Sequence, residues 1–327
     1  MTYDFVVVGA GIAGASVAAE VAGHGRTLIL EAESAPGYHS TGRSAAFWSE
    51  TYGGPLIQPL TTASFEFLSD PDPEFADRPF RRKRGALHIA ARGGHAVLDD
   101  FTAEFAGGAV ELEFLDREAL AARVPELEKH WDRAVFEPSC ADIDVAALHQ
   151  AYLRAARRAG AELLCNEQVR EMRRDGAHWI VRHGDKEVST AVVINAAGAW
   201  ADQLAERGGV APLGVRPYRR TMIQLRVDPP MPENGPLVID ARGEFYFKPE
   251  AGGRLWLSPH DEIPAEAGDS APEELDIAVA IDRFERATRW KVQAVERKWA
   301  GLRSFAADRL PVYGFDPASS GFFWCVG

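Results

Sequence analysis

VVVGAGIAGASVAAEVAGHGRTLILEAE, residues 6–33, reads as strand, tight turn, helix and second strand. Val6 to Val8 is a β-branched run without a polar residue, as expected for a parallel strand buried on both faces. Gly9, Gly11 and Gly14 follow in the spacing G-x-G-x-x-G. The first allows the sharp turn, the second removes a side chain where a pyrophosphate must approach the backbone, and the third lets helix and strand pack closely. Ala13, Ala15, Ala18, Ala19 and Val21 continue as a small-residue helix, whose N-terminus offers N–H groups and a positive dipole end to an anion. Gly23 and Gly25 end that helix, Thr27 to Leu30 forms the second strand, and Glu31 stands at its tip. A carboxylate there accepts hydrogen bonds from both ribose hydroxyls and repels an additional phosphate. Strand, glycines, helix and acid together specify a dinucleotide site.

The rest of the composition narrows the class. The chain has 327 residues, enough for two domains, with an ordinary apolar fraction of 46%. Its formal charge of -12 argues against a nucleic-acid or anionic-membrane surface, since phosphate is bound by Lys and Arg. Basic runs are short, and Arg81-Arg82-Lys83-Arg84 is expected to be a solvated face. Cys140, Cys165 and Cys325 are widely spaced and form no C-x-x-C, so neither a disulfide framework nor a zinc site is expected. The nine His residues make no H-E-x-x-H, and no metal is expected. No apolar run approaches the roughly 20 residues of a membrane span, and the first strand begins within a few residues of Met1. These features predict a cytoplasmic protein without an integral membrane segment.

After Glu31 comes a long Gly-, Ser- and Thr-rich stretch, SAPGYHSTGRSAAFWSETYGG, of the kind usually functional in a compact domain. Residues 56–69 and 95–130 show helical apolar spacing, and DIDVAALHQAYLRAARRAG sets Val145, Leu148, Tyr152, Leu153 and Ala156 on one helical face. Alternating strands follow, with turns at Asp175-Gly176 and Gly184-Asp185, and Ala191 to Ile194 runs into Asn195-Ala196-Ala197-Gly198. A nicotinamide domain normally continues directly in alternating β and α units. Here the second half of the sheet returns only after a hundred-residue excursion and carries an antiparallel meander, which favours FAD over NAD. Residues 215–300 read as antiparallel strands, with a helix near 273–290. The expected fold is α/β (α+β overall): a two-part FAD-binding Rossmann-type domain over 1–45, 140–212 and 300–327. A second, mainly antiparallel β substrate domain covers 46–139 and 213–299.

The motifs GAGIAGAS, GYHSTGRSAA, ADIDVAALHQAYLRAARRAGAELLCN, VVINAAGAWAD and KWAGLRSFAAD together resemble the D-amino acid oxidase family of FAD-dependent oxidoreductases, over the whole chain and in order. Within that family the D-arginine dehydrogenases are the nearest likeness. The resemblance implies that Gly9, Gly11, Gly14 and Glu31 hold the ADP half of non-covalent FAD. Ser40, Thr41, Gly42, Arg43 and Ser44 would line the pyrophosphate and the flavin edge, Val169 the adenine side, and Ala197 with Gly198 the chain of the cofactor. Arg220 and Arg303 match carboxylate-binding positions, and Arg is the residue suited to a two-point grip on a substrate carboxylate. Tyr52 and Tyr246 match tyrosines that hydrogen-bond the substrate. Each also has a plainer reading as a packing residue or structural ion pair.

Three departures shape the expectation. Phe47 stands where the arginine-preferring relatives have a His, and Ala86 where they have a carboxylate for the substrate guanidinium. A neutral or apolar D-amino acid is therefore the expected substrate, oxidised to the imino acid, which water converts to a 2-oxo acid and ammonia. The chain ends at GFFWCVG, where the family continues into a glycine-rich turn and a final helix, so a flavin-binding protein without turnover is one alternative. Oxidation of a secondary amine or 2-hydroxy acid is another. The re-oxidant stays open between oxygen, a quinone and a carrier.

Overall fold

In the computed structural model, which describes residues 1–327, the opening strand Thr2–Val8 lies in the parallel part of a mixed sheet. Thr27–Leu30 pairs with it on one side and Lys186–Asn195 on the other, both parallel. Val6, Val7, Leu28 and Ile29 are fully buried, as an unbroken apolar run requires when both faces are covered. Glu162–Leu164 extends the sheet beyond Thr27–Leu30. The strand Lys186–Asn195 forks the sheet. Its first half pairs antiparallel with His178–His183, while Val193 to Asn195 pair in parallel with Phe322–Val326. The fork is the meander expected from the turns at Gly176 and Gly184. The helix Ile12–Val21 packs on Val145–Arg158 through Ala18, Ala22 and Ala156, small side chains that bring the two backbones close.

A second sheet runs from Ile263–Pro264 through Arg216–Asp228, Arg254–Ser258, Tyr246–Glu250, Leu237–Asp240, Ala86–Ala91 and Trp131–Glu137 to Glu113–Asp116. The long strand Lys291–Phe305 pairs antiparallel with Arg216–Asp228 along nearly its whole length. All pairings but one are antiparallel; Leu237–Asp240 runs parallel to Ala86–Ala91. The helix Glu274–Ala287 covers one face, burying Ile277, Ala280 and Phe284 against Leu225, Phe247 and Leu257. No helix is long and apolar enough to cross a membrane.

Three local expectations are corrected. Residues 95–130 hold the helix His95–Glu104, the strand Glu113–Asp116 and the helix Arg117–Arg123 in place of one helical stretch. Gly107 takes a φ of +85°, which breaks the first helix, and Trp131–Glu137 recruits the strand by pairing. Residues Ala300 to Phe305, assigned above to the dinucleotide part, are the end of a strand of the second sheet. Arg84, the last of the basic run, is sealed from solvent and holds Asp142 at 2.5 and 2.7 Å, with Lys248 on the same carboxylate at 3.2 Å.

Candidate active site

Between the two sheets lies one continuous cavity of about 910 Å³, at the upper end of the range for small-molecule sites. One end is built by the first turn. Gly9 takes a φ of +100° and donates its N–H to the Leu30 carbonyl at 2.8 Å, which folds the chain from strand into helix. Glu31 accepts the Ala10 N–H on one oxygen (2.8 Å) and the Glu33 N–H on the other (2.9 Å), leaving further lone pairs for ligand hydroxyls. His149 Nε2 lies 2.8 Å from the Ala10 carbonyl, and the Ile12 N–H donates to Thr41 Oγ1 at 2.9 Å. A glycine-walled helix N-terminus beside a carboxylate fits the phosphate and ribose of a dinucleotide.

Of the expected cofactor residues, Gly9, Gly11, Glu31, Ser40, Thr41, Arg43, Ser44, Val169, Ala197 and Gly198 line this cavity. Gly14 and Gly42 lie beneath its wall, and each permits a close backbone approach, to Gly9 and to Gly37 respectively. Arg43 turns its guanidinium toward the second sheet, donating to the Ala300 and Ser270 carbonyls at 3.1 Å and to Asp269 at 2.5 Å. Ser40 Oγ donates to the Leu302 carbonyl at 2.7 Å. The GYHSTGRSAA loop thus joins the two sheets as well as walling the cavity.

At the other end, Arg220 and Arg303 stand on adjacent strands as diagonal neighbours, Arg220 opposite Gly301 and Arg303 opposite Tyr218. They differ in what they already hold. Arg220 is buried, donating Nε to the Asp261 carbonyl (2.6 Å) and Nη2 to Glu262 (3.0 Å). The Arg303 side chain makes no hydrogen bond or ion pair, and its guanidinium lies over the rings of Tyr52 and Phe305 at 5.3 and 5.5 Å. Five arginines line the cavity, Arg43, Arg207, Arg220, Arg303 and Arg309, and only the Arg303 side chain lacks a hydrogen-bonding partner in the protein. Phe47 bridges the two tyrosines edge-on, 5.6 Å from Tyr52 and 6.3 Å from Tyr246. Burial pushes the Tyr246 phenol above its ordinary range, so it stays protonated; its hydroxyl donates to Met222 Sδ at 3.1 Å.

Three residues here escaped the sequence reading. His260 lines the cavity edge-on to Tyr246 at 5.3 Å. Burial, with the charges of Arg220 and Arg303, lowers its pKa to about 4, so the imidazole is neutral at physiological pH. His88 lines the wall two residues beyond Ala86, and Ala86 itself is sealed beneath Met222, Leu237 and Tyr246. The i, i+2 alternation of a strand puts both on one face, which is the signal that could have found His88. Glu137, wholly buried, accepts from Ser49 Oγ (2.9 Å), Thr51 Oγ1 (2.7 Å) and the Glu50 N–H (2.7 Å), tying down the loop that carries Tyr52.

Burial raises the Glu137 pKa, but the neighbouring His88 and the Thr51 and Ser49 hydroxyls outweigh it and hold the carboxyl below its ordinary value. The folded-state value is depressed, so the carboxylate stabilises the fold above the unfolded pKa of about 4.3, and this is lost as pH falls through the depressed value. Glu137→Gln is expected to lose about 2 kcal/mol at neutral pH. Its melting temperature should also fall less steeply than that of the parent as pH drops toward 3, measured by thermal denaturation at stepped pH. Parallel slopes would show that the Glu137 carboxyl is not depressed in the fold.

The sequence matches the FAD dependent oxidoreductase family, DAO, over residues 4–327. Glycine oxidase of Geobacillus kaustophilus is 25% identical, with 99% of this chain and 87% of the relative covered. Hydrogen cyanide synthase subunit HcnC of Pseudomonas aeruginosa is 24% identical over 96% and 84%. Among solved structures, that glycine oxidase superposes with a TM-score of 0.86 at 22% identity, covering 100% of this chain and 89% of that one. An FAD-bound L-α-glycerophosphate oxidase from Mycoplasma pneumoniae gives 0.90 at 14% identity, covering 99% and 90%. Such likenesses at low identity share the fold, and the family match carries the cofactor: this chain belongs to the FAD-dependent oxidoreductases of the DAO family.

Proposed function

We propose that this chain oxidises a D-amino acid with a neutral side chain at its Cα–N bond. The observation that carries the reading is Arg303, a guanidinium in the cavity without an acid partner, framed by Tyr52 and Tyr246 and backed by Arg220. A planar fork of donors is complementary to a carboxylate, and fixing the carboxylate orients the α-hydrogen for removal. Tyr246 supplies a protonated hydroxyl beside it. His260, being neutral, adds no third positive charge and offers a hydrogen-bond partner to the substrate amine. FAD, held by the Gly9–Gly14 turn, Glu31 and the Ser40–Ser44 loop, supplies the acceptor for a hydride. The imino acid released then takes up water to give the 2-oxo acid and ammonia. The D configuration rests on the resemblance that the five motifs carry together, and the neutral side chain on Ala86 standing where the arginine-preferring relatives have a carboxylate.

The test is anaerobic reduction of the visible flavin band of the purified protein. D-asparagine, D-leucine, D-methionine and D-arginine are compared with their L enantiomers, glycine, sarcosine and 2-hydroxyglutarate. Bleaching by neutral D-amino acids, faster than by D-arginine or any L enantiomer, is the expected result. Bleaching by 2-hydroxyglutarate or sarcosine alone would overturn it in favour of the alternative acids. A stable yellow protein that none of them bleaches would mark a flavin binder without this turnover.

A further inference from the structure

Resting on that reading, a substrate gripped at Arg303 and Tyr246 extends its side chain along the wall made by Leu237–Asp240 and Ala86–Ala91. Register determines what it meets. Ile239 lies opposite Tyr246 on one neighbouring strand and opposite His88 on the other, so the three form a row with steps of about 4.8 Å. All three line the cavity. Asp240 turns its oxygens to the Arg242 and Glu244 N–H groups of the adjoining turn. His88 is thus the polar end of the row, separated from the Tyr246 hydroxyl by apolar Ile239.

The His88 ring is tilted against Phe101, with centroids 4.3 Å apart, and makes no hydrogen bond to any protein group. Its Nε2 is sealed off and lies 3.8 Å from a Glu137 oxygen. Glu137 takes hydrogen bonds only from donors, the hydroxyls of Ser49 and Thr51 and the Glu50 N–H, so it behaves as a buried anion. An anion on that side favours the N–H form of Nε2. Nδ1 then accepts when the ring is neutral and donates when it is protonated. Nδ1 has no protein partner and is not sealed, and His88 lines the cavity, so a ligand there can meet it.

We propose that His88, backed by Glu137, selects D-amino acids whose neutral side chain ends in an amide or hydroxyl. Such a group carries both a donor and an acceptor and meets Nδ1 in either protonation state. A hydrocarbon leaves Nδ1 unpaired, and a side-chain carboxylate is brought toward the buried Glu137 anion.

D-asparagine and D-leucine are close in shape and differ in hydrogen bonding, so their kcat/KM ratio reads the contact directly. His88→Leu is expected to lower kcat/KM for D-asparagine about tenfold while that for D-leucine changes less than about threefold. His88→Gln, which restores a hydrogen-bonding group, is expected to keep D-asparagine within about threefold of the parent. A second readout needs no turnover: Kd values for the two 2-oxo acid products, 2-oxosuccinamate and 4-methyl-2-oxopentanoate, from tryptophan fluorescence. The parent should bind the amide more tightly and His88→Leu should abolish that preference. An unchanged asparagine-to-leucine ratio in His88→Leu, or an equal loss on both substrates that His88→Gln shares, overturns the proposal. Should no D-amino acid reduce the parent flavin, the function proposed above fails, and the Kd pair alone decides the role of His88.

Discussion

Arg303→Met is expected to lower kcat/KM for a neutral D-amino acid by about 100- to 1,000-fold while leaving flavin content and melting temperature near those of the parent. The size follows from two charge-assisted hydrogen bonds to one carboxylate, together worth ~3–4 kcal/mol. The small stability change follows from the unliganded protein, where the guanidinium has no acid to release and lies over the rings of Tyr52 and Phe305. Arg303→Lys keeps the charge and loses the fork, so it should recover part of the activity and not all of it. Arg220→Met should behave differently. It strips a buried partner from Glu262, which retains Arg309 at 2.8 Å, and from the Asp261 carbonyl, so a loss of stability accompanies any loss of activity. Steady-state kinetics, the flavin-to-protein absorbance ratio and thermal denaturation on the three variants separate these outcomes. Activity of Arg303→Met within about fivefold of the parent would remove Arg303 from carboxylate binding.

The contrast between the two arginines marks where the sequence stops being legible. Both sit in strand-like segments and both match the family's positions, and nothing local says that one is spent on Glu262 and the other is free. That difference depends on the turn His260–Glu262 folding back over Arg220, through contacts 40 or more residues apart in the chain. The same holds for Glu137, which reaches Ser49 and Thr51 across more than 80 residues once strand pairing has set the register. By contrast, the Gly9–Gly14 turn, the strand Thr27–Leu30 and the meander turns at Gly176 and Gly184 were readable, because backbone sterics and alternation are fixed within a few residues. Residues 95–130 show the intermediate case: helical spacing is present, yet pairing with Trp131–Glu137 converts Glu113–Asp116 to strand. Local apolar spacing cannot weigh a partner that lies outside its window.

Gly14→Ala should cost the protein its flavin, because the turn is packed backbone against backbone. A Cβ at Gly14 would stand 1.8 Å from the Gly9 carbonyl oxygen, and one at Gly9 would stand 2.4 Å from the Ala196 carbonyl oxygen. Neither obstacle is the end of a flexible side chain. Three segments meet there, the end of Thr2–Val8, the start of Ile12–Val21 and the Ala196–Ala197 return, and the Ala196 N–H donates to the Val8 carbonyl at 3.0 Å. A methyl group forces the helix away from the strand, at an overpacking cost of about 1–3 kcal/mol. It also moves the helix N-terminus from the pyrophosphate, which forfeits up to ~2 kcal/mol of dipole interaction. Together these predict a fall in FAD affinity of about 100-fold or more and a lowered melting temperature. Gly23→Ala is the control from just beyond the other end of the same helix, where an added Cβ meets nothing within 4 Å; it should retain flavin and stability. Equilibrium dialysis against FAD, with thermal denaturation of each apoprotein, reads both effects. Retention of stoichiometric flavin by Gly14→Ala would mean that helix and strand separate without moving the phosphate end, and the close packing would then be a property of the sheet alone.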